Sequence, residues 1–282
     1  MKTNAFFNKQ GILAWLFLLI TAVSCENADT ASDFSAEDSD DVSTETLDDS
    51  SNDDAEDLAL TALSSESLSG GKVESNDDRF ECAVVTRTGD KTAGTIRIDF
   101  GGGCTDKRGR VRRGAILIDY QGVWTNAGAE WTVTFEDYFI NDVNLRGIRK
   151  VKNITTDTTR RRFQVDLEDG EATWPDGRIA RRRLHHIREH ERNASNILIR
   201  LIIYGTAEGN HRNGRGYQIE ILEPLVYERA CAAEGVFIPV KGKKLIKHGN
   251  RQITVDYGDG TCDNVVTLIN INGRTKDIRI PG

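Results

Sequence analysis

The chain has 282 residues, of which 38% are hydrophobic, 7% aromatic and 29% charged, and its formal net charge is −7. This length and composition allow one large or two modest globular domains. The chain contains no P-loop, no G-x-S-x-G motif and no dinucleotide-binding fingerprint, so the sequence points away from the enzyme classes that these motifs define.

The amino end has the pattern of a secretory signal peptide, predicted over residues 1–24. Lys2 and Lys9 precede an apolar run over 12–23, which is too short for a bilayer-spanning helix. Small residues stand immediately before Cys25 and resemble the lipobox of bacterial lipoproteins, whose cysteine is lipidated and begins the mature chain. We therefore expect a lipid on Cys25 that anchors the protein to a membrane. The alternative is an ordinary cleaved signal with a cysteine near its cut site.

Residues 25–78 are predicted to be a disordered acidic linker. The stretch 26–78 contains eighteen acidic residues and one basic residue, a net charge of −17. It is rich in Ser, Thr, Asp and Glu and nearly lacks aromatic residues, so it cannot bury enough apolar area to offset the entropy of ordering. A short amphipathic turn over 57–68 is the alternative there, although isolated helices of that length are marginal in water. Like-charge repulsion predicts an extended tether.

Residues 79–282 are predicted to form one antiparallel β domain, with 227–282 as a candidate terminal subunit. This part of the chain carries a net charge of +8 and twenty-three of the 26 glycines. Runs with β-branched or aromatic residues alternate with Gly and Asn/Asp turns, and no segment shows the periodicity of an amphipathic helix. The pattern favours an all-β fold, an antiparallel meander of hairpins forming a sheet or a sandwich. The predicted strands are 83–87, 95–100, 115–122, 131–135, 143–153, 162–167, 179–186, 197–205, 217–222, 236–240, 253–257, 265–269 and 277–280.

Four cysteines in this domain predict two disulfide bonds, Cys82–Cys104 and Cys231–Cys262. The two pairs enclose similar sequences, because I-D-F-G-G-G-C ends the first and V-D-Y-G-D-G-T-C ends the second. Four cysteines allow three pairings, and the sequence leaves the other two open. A zinc site is the alternative, but there is no C-x-x-C unit and the signal peptide indicates an oxidising compartment.

Several segments, together with Cys25 and the acidic linker, carry a resemblance to a known family. The segments are 96–104, 109–114, 133–138 and 255–260. They resemble uncharacterised lipoproteins of Bacteroidota. The resemblance implies a secreted, lipid-anchored β-rich domain of the cell envelope. The expected location is the outer membrane, on either its periplasmic or its outer surface. The resemblance implies no activity, cofactor or catalytic residue. The triplet D-T-A around Thr30 resembles the O-glycosylation acceptor motif of that phylum, so Thr30 is a candidate glycosylation site.

Two motifs suggest metal binding, but the sequence predicts no metal, cofactor or catalytic residue. Residues 186–190 read H-x-x-E-H, a zinc-protease pattern that requires a helix. Nearby arginines disfavour a dication, and a strand places successive residues on opposite faces, so we interpret this segment as a solvated basic strand. Asp256, Asp259 and Asp263 lie in glycine-rich turns and offer oxygen ligands that suit calcium. They lack EF-hand spacing, and Asx-turn hydrogen bonds explain them equally well.

Clustered positive charge is the remaining candidate feature of the β domain. The candidate contacts to a polyanion, such as lipopolysaccharide or an anionic glycan, are Arg108, Arg110, Arg112, Arg181 and Arg183. Such a surface would attract a polyanion, although solvated edge strands also carry these charges. One hypothesis is that the acidic linker screens this surface until an envelope polyanion displaces it. Nucleic acid is not expected as a partner, because the compartment is wrong and few aromatic residues interleave the charges.

The sequence therefore predicts a lipid-anchored protein of the cell envelope that acts as a non-enzymatic binding or structural module with an unidentified ligand. The alternative is a surface enzyme acting on glycans or peptides, with its catalytic groups in loops that carry no known motif. A concave pocket with convergent carboxylates or histidines would favour the enzyme, and a sheet with dispersed charges would favour the module.

Overall fold

The computed structural model describes residues 34–65, 68–69, 72–73, 77–156, 160–194 and 197–281. The predicted signal peptide, the lipidation site Cys25 and the candidate glycosylation site Thr30 lie outside the described residues. Within the described ranges, no helix has both the length and the apolar composition needed to span a membrane.

Sixteen strands of the described chain form one antiparallel sheet. Each strand pairs with its neighbours in chain order, except that the two-residue β5 stands off this path and pairs with β6. The sheet confirms the predicted all-β antiparallel meander. The strands are β1 (Leu68–Ser69), β2 (Lys72–Val73), β3 (Val84–Gly89), β4 (Ala93–Asp99), β5 (Cys104–Thr105), β6 (Val111–Gln121), β7 (Glu130–Ile140), β8 (Val143–Asn153), β9 (Arg160–Thr173), β10 (Ile179–Arg192), β11 (Leu198–Asn210), β12 (Gly216–Glu228), β13 (Lys241–His248), β14 (Arg251–Asp259), β15 (Val265–Asn270) and β16 (Thr275–Arg279).

One predicted strand is absent, and four observed strands were not predicted: the two-residue strands β1, β2 and β5, and the longer β13. Residues 236–240 are irregular, although Val236, Ile238 and Val240 are buried. Pro239 has no N–H to donate to a ladder, which is consistent with this irregular path. The strand that follows, β13, escapes prediction because its buried positions include Gly242 and Lys244 besides apolar residues.

Residues 227–282 contribute strands to the same sheet as the rest of the domain. A short helix, α2 (Arg229–Ala233), connects β12 to the segment that leads into β13. The strand β13 then pairs with β12, and the meander continues without interruption to β16. The candidate terminal subunit is therefore a continuation of the sheet.

Residues Ala36–Ser64 form a 29-residue helix, α1, where the sequence predicts a disordered linker. The helix begins at a capping box, in which the hydroxyl of Ser35 accepts the N–H of Asp38 and the Asp38 carboxylate accepts the N–H of Ser35. Consecutive residues 44–46 and 58–60 are all buried, so buried side chains point in most directions around the helix. The prediction of disorder is wrong for α1 because it considered only the segment's own apolar content. The sheet supplies the missing apolar surface and the counter-charges.

The sheet curves around α1, because strands near both of its ends contact the helix. The guanidinium of Arg87 on β3 donates to the Ala62 carbonyl 2.8 Å away. Lys276 on β16 donates to the hydroxyl of Ser39 at 3.0 Å. Strands between these two also reach the helix through their side chains. The face of the sheet that is turned toward α1 is called the inner face below.

Glycines at positive φ mark the irregularities that allow this bending. The ladders of β6, β8, β11 and β13 shift register around Gly114, Gly147, Gly205 and Gly242, respectively, and all four glycines have positive φ. A Cβ on Gly114 would lie 2.1 Å from the carbonyl oxygen of Asp137, so no other residue fits there without displacing the neighbouring strand. Bulges of this kind increase the local bend and twist of a sheet.

Both predicted disulfide bonds are present. Cys82 bonds to Cys104 with a Cα–Cα distance of 5.6 Å, and Cys231 bonds to Cys262 with a Cα–Cα distance of 5.0 Å. The first bond joins the start of β5 to the chain just before β3, and the second joins α2 to the turn after β14. The structure therefore confirms the predicted pairing among the three that four cysteines allow.

Candidate functional site

Five cationic side chains lie buried on the inner face of the sheet. Each of the five residues is 5% exposed or less. Lysine and arginine are rarely buried unless an anion pairs with them, because an unpaired buried charge carries a large desolvation cost. The five residues, called the basic cradle below, are Arg112 on β6, Arg149 on β8, Arg182 and Arg188 on β10, and Lys244 on β13.

Alternation along the strands separates these buried cations from exposed ones. On β10, Arg182 lies on the inner face, whereas the side chains of Arg181 and Arg183 are 59% and 66% exposed. Successive side chains of a strand point to opposite faces, so one run of three arginines supplies both surfaces.

Carboxylates of α1 neutralise the cradle, beginning at Asp54. The guanidinium of Arg112 donates two hydrogen bonds to Asp54, each 2.9 Å long, in a bidentate pair. Nitrogens of Arg110 and Arg79 lie 3.3 and 3.5 Å from the same carboxylate. Burial raises the pKa of Asp54, but the charges of Arg112, Arg110 and Arg79 outweigh it and hold the pKa well below its usual range.

The middle of the cradle is formed by two arginines and two carboxylates. Arg188 contacts Asp53 through one nitrogen and lies 3.2 Å from Glu56 through another. Arg149 donates to the second oxygen of Glu56. The side chains of Arg149 and Arg188 are only 1% and 2% exposed. Water therefore cannot solvate their charges, and the carboxylates of Asp53 and Glu56 neutralise them instead.

Near the amino-terminal half of α1, Glu45 and Asp49 share Arg182 and Lys244. Asp49 lies 2.5 Å from Arg182 and 3.2 Å from Lys244, and Glu45 contacts the same two cations. Burial opposes ionisation of Asp49, but the two cations hold its pKa far below its usual range. Burial, and then the charge of Asp49, raise the pKa of Glu45 to about 7. Burial likewise raises the pKa of the neighbouring Asp48 to about 6.

The structure divides the five arginines that were predicted to bind a polyanion. Arg112 belongs to the cradle, and Arg110 is half-buried beside it, 2.8 Å from the hydroxyl of Ser50. Arg108 is exposed, in the turn before β6. Arg181 and Arg183 lie on the outer face, where they pair with the outward carboxylates of Glu171 and Glu208. The predicted set therefore does not form one surface.

Sequence reasoning missed two parts of this site. Of the five cradle cations only Arg112 is among the five predicted contacts, and no individual carboxylate of the acidic linker was assigned a role. The signal that could have found them is the opposite charge of residues 26–78 and 79–282, combined with the inward positions of the alternating strands.

The H-x-x-E-H segment lies on β10, and its three side chains do not converge. Glu189 points away from the two histidines and pairs with Arg162 at 3.0 Å on the other face. His186 and His190 are 5% and 4% exposed on the inner face. The predicted strand is confirmed, but the prediction that this segment is solvated is wrong for the inward residues. Burial lowers the pKa of His190 to about 3 and that of His186 well below its usual value, so both imidazoles are neutral.

The aspartates of the last hairpins form Asx turns. Asp256, Asp259 and Asp263 each accept the N–H of the residue two positions ahead, at 2.9, 3.2 and 2.9 Å. These bonds confirm the turn interpretation of the three residues.

The fold and the site define an antiparallel β-sheet protein whose basic inner face surrounds an acidic helix of the same chain. Comparison of the chain with protein families, with curated proteins and with solved structures found no match. Since a fold does not determine a function, the function is inferred from the geometry of the basic cradle.

Proposed function

We propose that the protein is a binding module of the cell envelope, anchored through a lipid on Cys25, whose basic cradle binds a polyanion in place of α1. The observation that carries this proposal is the burial of five cations against carboxylates of a single acidic helix. The proposed ligand is an anionic glycan or a lipopolysaccharide of the outer membrane. In this proposal α1 occupies the ligand site of the free protein.

The chemistry of the cradle restricts what can replace the helix. Removing one partner of a buried ion pair costs about 3–5 kcal/mol, because it leaves a buried charge uncompensated. Arg112 keeps a second carboxylate, Asp106 at 2.7 Å, when the helix leaves. The ion pairs described for the other four cations are all with α1, so a replacement must bring several negative charges along an extended shape. Sulfated, phosphorylated or uronic-acid-rich chains have this property, whereas neutral glycans and apolar ligands lack it.

The helix itself is imperfectly matched to the cradle, which supports its role as a displaceable occupant. Burial raises the pKa of Asp48 and Asp53 as well as that of Glu45, so part of the negative charge of α1 is held at a cost in free energy. The segment is also rich in Asp, Ser and Thr, which are weak helix formers, so its helicity depends on the sheet.

The proposed anchor gives displacement a geometric consequence. The 29 residues of α1 span about 44 Å as a helix but up to about 100 Å as an extended chain. Release of α1 would therefore lengthen the acidic tether between the membrane and the sheet. Ligand binding would move the β domain outward.

A cleavable chain tests displacement while keeping every residue of the protein. A specific protease site is inserted between residues 65 and 77, the amino-terminal fragment carries a fluorophore, and the protein is cleaved after folding. Fluorescence anisotropy then measures release of the fragment on addition of heparin or purified lipopolysaccharide. We expect release at low salt that decreases at high salt, because screening weakens charge–charge recognition. Retention of the fragment at saturating heparin and lipopolysaccharide would contradict the proposal.

Neighbouring arginines on β10 provide the matched control. Arg182→Gln removes a cradle cation and should weaken binding of the polyanion to the cleaved protein, whereas Arg181→Gln removes an exposed cation and should have little effect. Circular dichroism confirms that both variants are folded before binding is measured. If Arg181→Gln and Arg183→Gln weaken binding and Arg182→Gln does not, the ligand occupies the outer face and the cradle assignment is wrong.

A further inference from the structure

Three buried side chains with metal-ligating atoms converge beside the basic cradle. Asp41 comes from α1, His211 from the turn between β11 and β12, and His248 from the end of β13. They are 1%, 1% and 9% exposed. One carboxylate oxygen and one nitrogen of each imidazole lie within 4.8 Å of one another.

The two imidazoles each have a buried nitrogen without a hydrogen-bond partner among the described residues. The Nε2 atoms of His211 and His248 are both of this kind. Nδ1 of His248 lies 3.3 Å from the carbonyl oxygen of Gly216. A carbonyl can only accept, so Nδ1 carries the proton and the lone pair of Nε2 is available for a ligand. A backbone carbonyl on the far nitrogen is the usual outer contact of a metal-bound histidine.

The carboxylate of Asp41 is held in place by the same loop that carries His211. Its oxygens accept hydrogen bonds from Asn213 at 2.9 Å and from Nε of Arg215 at 3.0 Å, with a further contact to Nη2 of Arg215. Each carboxylate oxygen has two lone-pair directions, so these bonds orient the group and leave a direction for a cation.

We propose that Asp41, His211 and His248 bind one divalent first-row transition metal ion, for which Zn²⁺ is the probe. Two imidazole nitrogens and one carboxylate oxygen form a donor set typical of zinc, and they leave a position for water or a further ligand. Donor atoms of a tetrahedral zinc site lie about 3.4 Å apart, so side-chain rotations that close the gaps by roughly 1 Å complete it. Burial lowers the pKa of both histidines, which keeps them in the neutral form that binds metals.

The position of the site gives the ion a structural consequence. One ligand belongs to α1 and two belong to the sheet, so a bound ion joins the helix to β13 and to the turn between β11 and β12. The evidence for the ion site does not depend on polyanion binding, but a bound ion would oppose the displacement of α1 that the proposed function requires.

Metal titration of the full chain tests the site. The protein, freed of affinity-tag histidines and treated with a chelator, is titrated with Zn²⁺ by calorimetry and with Co²⁺ by visible absorption. We expect one ion per chain, nitrogen-ligand d–d bands with Co²⁺ and a higher melting temperature with Zn²⁺. His211→Gln and His248→Gln should each weaken Zn²⁺ binding by about tenfold or more, as should Asp41→Asn.

His185 supplies the control, because its imidazole is 54% exposed on the outer face and pairs with Asp166. His185→Gln should retain the wild-type affinity for Zn²⁺. Absence of stoichiometric binding in the wild-type protein, or equal affinities in wild type, His211→Gln and His248→Gln, would overturn the proposal. The wild-type Co²⁺ spectrum keeps the test decisive even if a variant folds poorly, because a spectrum without nitrogen ligation also rejects the site.

Discussion

Asp54 is the carboxylate on which three arginines converge. Arg112 binds both of its oxygens, and Arg110 and Arg79 lie within 3.5 Å. Its side chain is only 7% exposed, so water cannot replace it. At the scale of single residues, the stability of this fold depends on matched buried charges. Neutralising one member of such a pair destabilises the protein strongly, because the other charge stays buried without compensation.

We expect Asp54→Asn to destabilise the protein by about 3–5 kcal/mol, because it removes the buried anion that Arg112, Arg110 and Arg79 share. Urea unfolding followed by circular dichroism measures the free energy of unfolding. The control is Asp57→Asn, since the side chain of Asp57 is 39% exposed and pairs only with Arg79 among the ion pairs described, and we expect it to cost about 1 kcal/mol or less. Equal losses in the two variants would show that burial does not govern these pairs.

His190 makes the stability of the fold sensitive to acid. Its pKa falls from 6.5 in the unfolded chain to about 3 in the folded protein, because the ring is buried against Phe163 and has no polar partner among the described residues. Below pH 6.5 the unfolded chain gains a proton that the folded protein excludes. Stability is therefore lost as pH falls from about 6.5 toward 3, with a slope approaching 1.4 kcal/mol per pH unit.

We expect His190→Leu to reduce this acid sensitivity. Between pH 7 and pH 5 the variant should lose about 2 kcal/mol less stability than the wild type, because its unfolded chain has no imidazole at position 190 to take up a proton. The raised pKa of Glu45 acts in the opposite direction in both proteins, so the difference isolates His190. Denaturant unfolding at the two pH values provides the measurement, and identical pH profiles would reject this assignment.

The long strands are bent elements whose curvature depends on glycine. Gly205 on β11 has φ +129°, and a Cβ there would lie 2.1 Å from the carbonyl oxygen of His185 on β10. Corresponding contacts occur at Gly114 and Gly242. These close approaches place bends at several points along the sheet, so it can curve around α1 without breaking its pairing.

We expect Gly205→Ala to destabilise the protein by about 2–4 kcal/mol through backbone strain and the clash with β10. Gly102→Ala is the control, because Gly102 has open space at its Cβ position and no positive φ, and it should change stability by about 0.5 kcal/mol at most. Thermal unfolding by calorimetry distinguishes the two. A neutral Gly205→Ala would mean that the bend does not require glycine.

At the scale of the whole molecule, two disulfide bonds fasten the two ends of the curved sheet. Cys82–Cys104 closes a sequence separation of 22 residues near the first strands, and Cys231–Cys262 closes one of 31 residues near the last strands. Each bond restricts the unfolded chain, and such loops contribute about 3–4 kcal/mol in the chain-entropy description.

We expect the double substitutions Cys82→Ala/Cys104→Ala and Cys231→Ala/Cys262→Ala each to lower the free energy of unfolding by about 3–4 kcal/mol. Because the two loops are similar in length, the two losses should be similar. Equilibrium unfolding in guanidinium chloride measures both. A loss below about 1 kcal/mol in either variant would show that its bond adds little constraint to the unfolded chain.

Most of the long strands, their antiparallel order and both disulfide pairings could be predicted from the sequence, because they depend on local sequence patterns. Alternation and turn residues identified β8 over Val143–Asn153 with its observed bounds. The similar glycine-rich ends of the two cysteine loops indicated which thiols meet. Local patterns of this kind are the same in the isolated segment and in the folded chain.

Only the tertiary structure decided that α1 is a helix, and which cations face it. The segment has too few apolar residues to order itself, and its partners are remote in sequence: Asp54 and Arg112 are 58 residues apart, and Glu45 and Lys244 are 199 apart. The sequence by itself determined an acidic segment and a basic set of strands. Their pairing depends on the curvature of the complete sheet, which removes water from both sets of charges. Each set then needs the other to neutralise its buried charge.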